Sequence, residues 1–485
     1  MACFAPGPAT VRIRRSCLVA IALAGTLAGC ALSTPPSRTE LLQQALPTTT
    51  TVPRTWSTGS GADPVANDWL QSFNDPRMQA LVGEAIANNL NLRQAAARVE
   101  EARQNVVVVG AALKPQVNAV LGASSTVATT SGTDQGKRYD SSLGYGIISW
   151  EADIWGRLRA QQAASEAGYE ANALDYAYAR QSLAATTAKS WYLAVESRQL
   201  LALAEDNVKL YVRLLNLVKQ RRSAGRVADL DVDEASYSLN AAESQLQAAQ
   251  GGYAKARRIL ELLLGRFPAA EIEIARDYAP MPPPVPAGLP SSLLERRPDI
   301  VAAEREVLAA FRNHEVAEQA LLPSFVFTLD GGRLSDNLLS VLKLNPWLVH
   351  GAIGVSIPIY HGGALQAQVA IATAEQERAV AKYGSVALTA FGEVENGLTY
   401  EGVWAERLKF DQRALADITQ AVHVAGEKYQ AGAIDLLSVL EIQTRQILSE
   451  SDVIKARNAQ LANHIDLHLA LGGSFDASPA AALLP

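Results

Sequence analysis

Cysteine and methionine are scarce in this chain, which has three of each among its 485 residues. Three cysteines are too few for a disulfide framework. Lysine and arginine (43) do not outnumber aspartate and glutamate (49), and no dense basic patch occurs, which argues against nucleic-acid binding. Walker A, dinucleotide-binding glycine, HExxH and nucleophile-elbow motifs are also missing. We therefore predict no enzyme activity, no catalytic residue, no metal ligand and no cofactor.

Proline is missing from two long stretches, residues 156–265 and the residues between Pro358 and Pro479. In the first stretch, apolar residues recur at alternating steps of three and four along two adjacent seams. Two seams indicate a helix that lies between two neighbours, whereas a single seam is typical of a two-stranded coiled coil. The pattern is interrupted around Gly225, where we expect the helix to be capped and the chain to reverse.

This helical hairpin is repeated. Gly432 lies 207 residues after Gly225, and Gly472 lies 207 residues after Gly265 (432 − 225 and 472 − 265). A tandem duplication is the simplest explanation, and internal repeats decide how the rest of a sequence is interpreted. We predict a second bend at Gly432, also with a capping glycine.

The N-terminus has the features of a secretory signal. Three arginines precede an apolar run that ends in Leu27-Ala28-Gly29-Cys30. Small residues before a cysteine resemble the lipobox of bacterial lipoproteins, in which the cysteine becomes the acylated N-terminus; the alternative is a plain signal peptide or a short anchor helix. The Ser-, Thr- and Pro-rich residues that follow are expected to form an extended tether.

Four segments change to a period of two, which is typical of strands with one apolar face. Val117, Leu121 and their alternating neighbours form the first segment, and Leu143, Tyr145 and Ile147 form the second. The second copy has Phe325, Phe327 and Leu329, then Ile353, Val355, Ile357 and Ile359. In each copy a helix precedes the strands, from about Arg77 to Leu113 in the first.

The predicted organisation has six parts. They are a signal peptide (1–29), a lipidated tether (30–63), a first repeat (64–276), a proline-rich linker (277–290), a second repeat (291–475) and a C-terminal tail (476–485).

The predicted dimensions exclude a monomeric pore. A helix from Gly156 to Arg222 would span about 100 Å, whereas a bilayer core is about 30 Å thick. Charges along this helix keep it in water. Four strands cannot close a barrel, which needs about eight or more, so lipid-facing strands require several chains.

Several motifs together resemble the outer-membrane efflux factor (TolC/OprM-like) family, in its lipidated, NodT-type branch that serves resistance-nodulation-division pumps. They are Cys30 with its lipobox, Trp69 with Phe73-x-Asp75-Pro76, Trp150-Glu151-x-Asp153-x-x-Gly156-Arg157-Leu158, Arg296-Arg297-Pro298-Asp299-Ile300, Ile357-Pro358-Ile359 with Gly362-Gly363, and Tyr429-x-Ala431-Gly432-x-x-Asp435-x-Leu437. They extend over nearly the whole mature chain.

The resemblance implies a mainly α-helical protein with a membrane β part: a homotrimeric channel-tunnel with a long α-helical barrel, a twelve-stranded β-barrel and an internal two-fold repeat. It implies a passive conduit in the bacterial outer membrane that is lipid-anchored, extends into the periplasm and exports drugs or other toxic small molecules. Its partners would be outer-membrane lipid, a periplasmic adaptor (membrane fusion protein) and an inner-membrane transporter. An exit duct for type I protein secretion, and a periplasmic coiled-coil scaffold without a pore, remain alternatives.

The two bends are acidic, and acids stabilise helix N-termini by about 0.3–1 kcal/mol each. In a closed trimer the same acids would form a ring that favours cations. By resemblance, the bends close the periplasmic aperture, while Ile434 and Ser438 stand where some members have an arginine and an aspartate. We predict that six residues line or close this aperture: Asp231, Asp435, Glu441, Tyr429, Leu230 and Leu437.

The basic residues at the bends have two interpretations. The resemblance makes Arg222, Arg226 and Lys428 candidates for contact with the adaptor, and the alternative is a solvated charged bend.

Overall fold

The computed structural model describes residues 32–58, 64–65, 67–128, 137–335 and 348–475. These form two compact units. One comprises the described residues up to 47 with 100–172 and 303–384, and the other comprises the described residues of 48–99, 173–302 and 385–475.

Helices precede and follow two pairs of strands. The N-terminal part contains α1 (Arg38–Ala45), α2 (Trp69–Ser72), α3 (Pro76–Asn88), α4 (Leu90–Gly110), a 3-10 turn (Ala111–Leu113), β1 (Gln116–Ala128) and β2 (Lys137–Ala152). The first hairpin is α5 (Arg157–Ser223) and α6 (Asp229–Leu263). The second half contains α7 (Pro290–Arg296), α8 (Pro298–Gln319), β3 (Ser324–Ser335), β4 (Leu348–Ser356), α9 (Ala364–Gln430) and α10 (Leu436–Ala470).

The two hairpins have equal lengths. Helices α5 and α9 each have 67 residues, and α6 and α10 each have 35. The predicted two-fold repeat is therefore confirmed at the level of the helices. None of the described helices combines the length and hydropathy that crossing a bilayer requires.

The helix predicted from Arg77 to Leu113 is divided at Asn89, which is a correction to the sequence analysis. Asn89 has an extended backbone (φ −65°, ψ 124°), and its side-chain oxygen accepts hydrogen bonds from the N–H groups of Asn91 (3.0 Å) and Leu92 (3.1 Å). Its amide donates to the carbonyl of Leu263 at 3.0 Å. Asn89 thus ends α3, caps the start of α4 and contacts the end of the first hairpin.

The four strands form one antiparallel sheet in the order β1-β2-β3-β4. Among the side chains that the structure describes, its register places nine exposed, large apolar residues on one face. They are Val117, Leu121, Ile148, Trp150, Phe327, Leu329, Val349, Ile353 and Val355. We refer to this as the apolar face. The opposite, mixed face carries Asn118, Ser149, Thr328, Asp330 and His350.

The assignment of faces in β2 corrects the sequence analysis. Ile147 pairs with Asn118 and Asp330, so it lies on the mixed face, and so does Tyr145. Ile148 and Trp150 occupy the apolar face instead. A shift of one residue in register moves a whole strand to the other face, and local alternation does not determine that shift.

Trp69, Phe73 and Asp75 build a core around the N-terminal helices. Trp69 and Phe73 are buried, and Asp75 caps α3 by accepting from the N–H of Met78 at 3.0 Å. The other oxygen of Asp75 accepts from the indole N–H of the buried Trp191 at 2.8 Å. This motif of the sequence therefore attaches α2 and α3 to the middle of α5.

Arg297, in the motif before α8, is buried and fully engaged. Its guanidinium binds Asp299 at 2.8 Å and Glu393 at 2.5 Å, and it donates to the carbonyl of Ala470 at 3.3 Å. A buried arginine needs this many acceptors, because an uncompensated charge in the interior costs several kcal/mol. Arg297 thus connects three helices: the start of α8, the middle of α9 and the end of α10.

Candidate functional site at the helical bends

Each hairpin reverses at a glycine in the left-handed conformation. Gly225 has φ +70° and Gly432 has φ +76°. At the first bend, Gly225 N–H donates to the Arg222 carbonyl (2.9 Å) and Arg226 N–H donates to the Arg221 carbonyl (2.9 Å). The second bend repeats this pattern from Gly432 to Tyr429. This Schellman motif ends a helix sharply, and glycine adopts its backbone without strain.

The predicted aperture acids stabilise the helix starts that follow the bends. Asp231 accepts from the N–H of Ala228 at 2.8 Å, before α6. Asp435 is the N-cap of α10 and accepts from the N–H of Ser438 at 2.8 Å. Hydrogen bonds from Ser438 hold the pKa of the Asp435 carboxyl below its ordinary value. The Asp435 carboxylate is therefore ionised at neutral pH, which the predicted ring of charge also requires.

The two bends share a buried apolar cluster, which we call the bend cluster. Its buried members are Tyr211, Leu214, Leu215, Val218, Ala235, Ala242, Tyr429, Leu436, Val439 and Leu440. Ile434 packs against this cluster. Leu230 and Leu437 are instead exposed, at 66% and 51% of their surface. Of the predicted aperture residues, Tyr429 is therefore buried in the bend cluster, whereas Leu230 and Leu437 are exposed.

Arg221 was missed by the sequence analysis. Its guanidinium donates to the carbonyls of Tyr429 (3.0 Å) and Gln430 (3.1 Å), the last residues of α9. It also lies over the Tyr429 ring, 4.3 Å from the centroid. A cation at a helix C-terminus is favourable, and hydrogen bonds from a charged donor contribute about 1.5–3 kcal/mol. The only signal in the sequence was the Arg221-Arg222 pair before Gly225.

Tyr429 is buried against Arg221, and its hydroxyl has no hydrogen-bond partner among the described residues. Burial raises the pKa of Tyr429, and the nearby Asp231 carboxylate adds to the rise, while Arg221 opposes it. The phenol is therefore neutral. Tyr429 contributes its ring and its backbone carbonyl to the contact with Arg221.

A groove of about 580 Å³ lies between α6 and α10 next to the bends. Its lining residues are Asp233, Glu234, Tyr237, Ser238, Leu437, Leu440, Glu441, Thr444 and Arg445. Glu441 is exposed there, and its carboxylate is 3.9 Å from the guanidinium of Arg445. Of the three predicted aperture acids, Glu441 is the one that no backbone N–H is described as holding.

The three basic residues proposed for adaptor contact differ in their surroundings. Arg222 forms a two-point ion pair with Asp229, at 2.6 and 2.8 Å, across the first bend. Arg226 and Lys428 are exposed. Arg222 therefore has a structural role within its own hairpin, whereas Arg226 and Lys428 are available to a partner.

Two tryptophans lie where the strands meet the helices. Trp150 donates its indole N–H to the Leu113 carbonyl at 3.1 Å, and Trp155 donates to the Pro323 carbonyl at 2.7 Å. Half-exposed tryptophans with one polar anchor suit a membrane–water interface.

Cys30, the predicted site of lipidation, lies outside the described residues. No group of three or more possible metal ligands is found in the ranges that are described.

The chain is similar to several known proteins. It is 30% identical to the pyoverdine export outer membrane protein OpmQ of Pseudomonas aeruginosa, over 84% of this chain and 87% of OpmQ. It is 27% identical to the probable outer membrane lipoprotein SilC of Salmonella typhimurium, over 84% of this chain and 88% of SilC. Among solved structures, the open state of the Neisseria gonorrhoeae MtrE outer membrane channel matches with a TM-score of 0.78 and 25% identity, over 88% of this chain and 97% of MtrE.

The family profile described as outer membrane efflux protein matches this chain twice, over residues 81–266 and 289–473. Each match contains one pair of strands and one helical hairpin. Together they include most of the sequence. The chain therefore belongs to the outer membrane efflux protein family.

Proposed function

We propose that this chain acts in three copies as the outer membrane channel of a tripartite efflux pump. The exposed apolar face of the sheet is the observation that carries the proposal. Among the described strands, β1 and β4 each have a neighbour on one side only. Open strand edges are not tolerated in lipid, and four strands are fewer than a barrel needs. Three copies supply twelve strands and pair every edge.

The long helices form the tunnel of the proposed assembly. At 67 residues, α5 and α9 are each about 100 Å long, which is more than three times the thickness of a bilayer core. They extend into the periplasm, where an adaptor and an inner-membrane transporter complete the pump. Arg226 and Lys428 contact the adaptor. The channel itself is a passive conduit.

The bends form the gate. In the closed state, Arg221 holds the end of α9 against the first hairpin, and Asp231, Asp435 and Glu441 of three copies face one axis. Leu230 and Leu437, exposed in the single chain, bury their side chains against the neighbouring copies. The solved MtrE channel is described as an open state, so a relative adopts that conformation.

The mature chain is anchored by lipid at Cys30. The lipobox supports this, and so does the similarity to SilC, which is named as a lipoprotein. The cargo is a small molecule, as pyoverdine is for OpmQ.

Light scattering on the detergent-solubilised protein and recordings in planar bilayers test the function. We expect a particle of three subunits and a steady ionic current. A single subunit that passes no current would contradict the channel and favour the scaffold. Export of a small dye by cells with the matching pump, without secretion of any protein substrate, distinguishes the efflux channel from a type I secretion duct.

A further inference from the structure

The N-terminal segment before α1 is held in place by a pair of charged side chains. Ser33 N–H donates to Glu315 Oε1 at 2.8 Å, and Arg312 Nη1 donates to the Ser33 carbonyl at 2.8 Å. Arg312 and Glu315 also bind each other at 2.6 Å. The backbone N–H and the backbone carbonyl of Ser33 are therefore both engaged by one turn of α8.

This ion pair is buried, with only 11% of the Arg312 side chain and 6% of the Glu315 side chain exposed. Charges separated by three residues on an exposed helix contribute little, and a buried pair is costly unless its other hydrogen bonds are satisfied. Burial raises the pKa of Glu315, but hydrogen bonds from Ser33 and Arg312 outweigh it and the pKa is lowered. Ser33 thus compensates the buried charges through its side chain and its backbone.

The contact continues along the same segment. Arg38 binds Glu304, also on α8, at 2.7 Å, and Leu41 is buried. Gly384 of α9 is needed beside α1, because a Cβ there would lie 2.5 Å from the carbonyl oxygen of Ala45. Residues 33–45 are therefore docked at several points, whereas composition indicated an extended tether.

Cys30 lies three residues before Ser33, so the chain between them spans at most about 10 Å. Helix α8 ends at Gln319, and β3 begins at Ser324. We propose that Arg312 and Glu315 form a receptor for Ser33, which limits the acylated N-terminus to within about 10 Å of chain from this part of α8. This inference rests on the proposed lipidation of Cys30.

The receptor makes the lipid and the sheet a single membrane-binding unit. A lipid anchor and an apolar protein surface bind a bilayer more strongly together than either does alone. A second contact is strengthened when it is held at short range, because its effective concentration falls as the linker lengthens. Held at Ser33, the lipid reaches the membrane together with the apolar face.

Hydrogen–deuterium exchange on the full mature protein in detergent tests the receptor. A double variant, Arg312→Leu with Glu315→Leu, removes both charges and leaves neither of them unpaired in the interior. We expect residues 33–45 to exchange at least tenfold faster, and α10 to exchange as before. Glu318→Leu is the matched control, since Glu318 is an exposed carboxylate on the same helix. Unchanged exchange of residues 33–45 in a folded double variant would overturn the receptor.

The second measurement is the rate of insertion into vesicles of phosphatidylethanolamine and phosphatidylglycerol. We expect Cys30→Ser and the double variant to slow insertion severalfold, and their combination to be no slower than Cys30→Ser alone. If the slowing by Cys30→Ser and the slowing by the double variant add up in their combination, the receptor does not act through the lipid and this proposal is overturned. Mass spectrometry of the N-terminal peptide separates the two proposals, because an unmodified Cys30 overturns the lipid anchor and its positioning, whatever the exchange data give.

Discussion

At the scale of residues, Arg221 is the side chain that joins the two hairpins most directly. It contacts two backbone carbonyls and one aromatic ring of α9. Since these contacts come from one guanidinium, we infer that its loss weakens the closed arrangement of the bends more than any neighbouring substitution.

Arg221→Ala is therefore expected to raise the open probability of the channel in planar bilayers about tenfold, as the loss of roughly 1.5 kcal/mol of hydrogen bonding predicts. Tyr429→Phe is the matched control: it keeps the ring and removes a hydroxyl without a described partner, so it should conduct like the wild type. Equal currents for Arg221→Ala and wild type would refute this role of Arg221 in closing the channel.

The aperture acids permit a separate prediction, because Asn retains the capping ability of Asp without its charge. The combined variant Asp231→Asn with Glu441→Gln should lower the preference for cations, measured as the reversal potential in a salt gradient. Glu427→Gln, on the exposed surface of α9, should leave that potential unchanged. If the combined variant keeps the wild-type selectivity, these acids do not line the aperture.

His468 provides a pH-dependent prediction. Burial, with a smaller effect of His464, lowers the pKa of His468 to about 3. In the unfolded chain His468 takes up a proton near pH 6.5, whereas in the folded chain it stays neutral. The contribution of neutral His468 to the free energy of unfolding is therefore complete above pH 6.5 and is lost as the pH falls toward 3. Between pH 6.5 and 5 the free energy of unfolding should drop by up to about 2 kcal/mol.

Thermal unfolding at several pH values checks this drop. His468→Gln should flatten the dependence in that range, whereas His423→Gln, at an exposed imidazole on α9, should not. An equal slope in His468→Gln and wild type would show that another group is responsible.

At the scale of elements, the left-handed glycines differ in what surrounds them. A Cβ on Gly225 would meet nothing within 4 Å, but one on Gly265 would lie 2.9 Å from the Asn88 carbonyl oxygen. Gly225→Ala should cost about 1 kcal/mol, from backbone strain alone, and Gly265→Ala should cost roughly 2–4 kcal/mol because the end of α3 must also move. Melting temperatures of the two variants test the difference, and similar values would contradict it.

The helices were predictable from sequence, because long apolar periodicity and matched glycines act locally. Three features were not. Asn89 divides a helix through a contact with Leu263, which is far away in sequence. The register of β2 depends on its partners, and Arg221 acts on residues about 208 positions downstream. Each is decided by tertiary contacts, for which a single sequence gives no direct signal.

At the scale of the whole molecule, the two faces of the sheet should respond differently to charge. Ile353 lies on the apolar face, and Ala352 lies on the mixed face of the same strand. An arginine on a lipid-exposed strand position costs about 2–4 kcal/mol at the bilayer midplane. Ile353→Arg should therefore reduce insertion into vesicles at least tenfold, while Ala352→Arg should insert normally. The reverse order would mean that the mixed face contacts lipid.

The equal helix lengths constrain how this protein evolves. Both bends contribute to one bend cluster, so a deletion in only one hairpin would pull its glycine away from Arg221 and Tyr429. Substitutions have made the two copies chemically distinct, yet 67 and 35 residues are retained in each. Insertions or deletions in these helices should thus be inherited only as compensated pairs, one in each half of the gene.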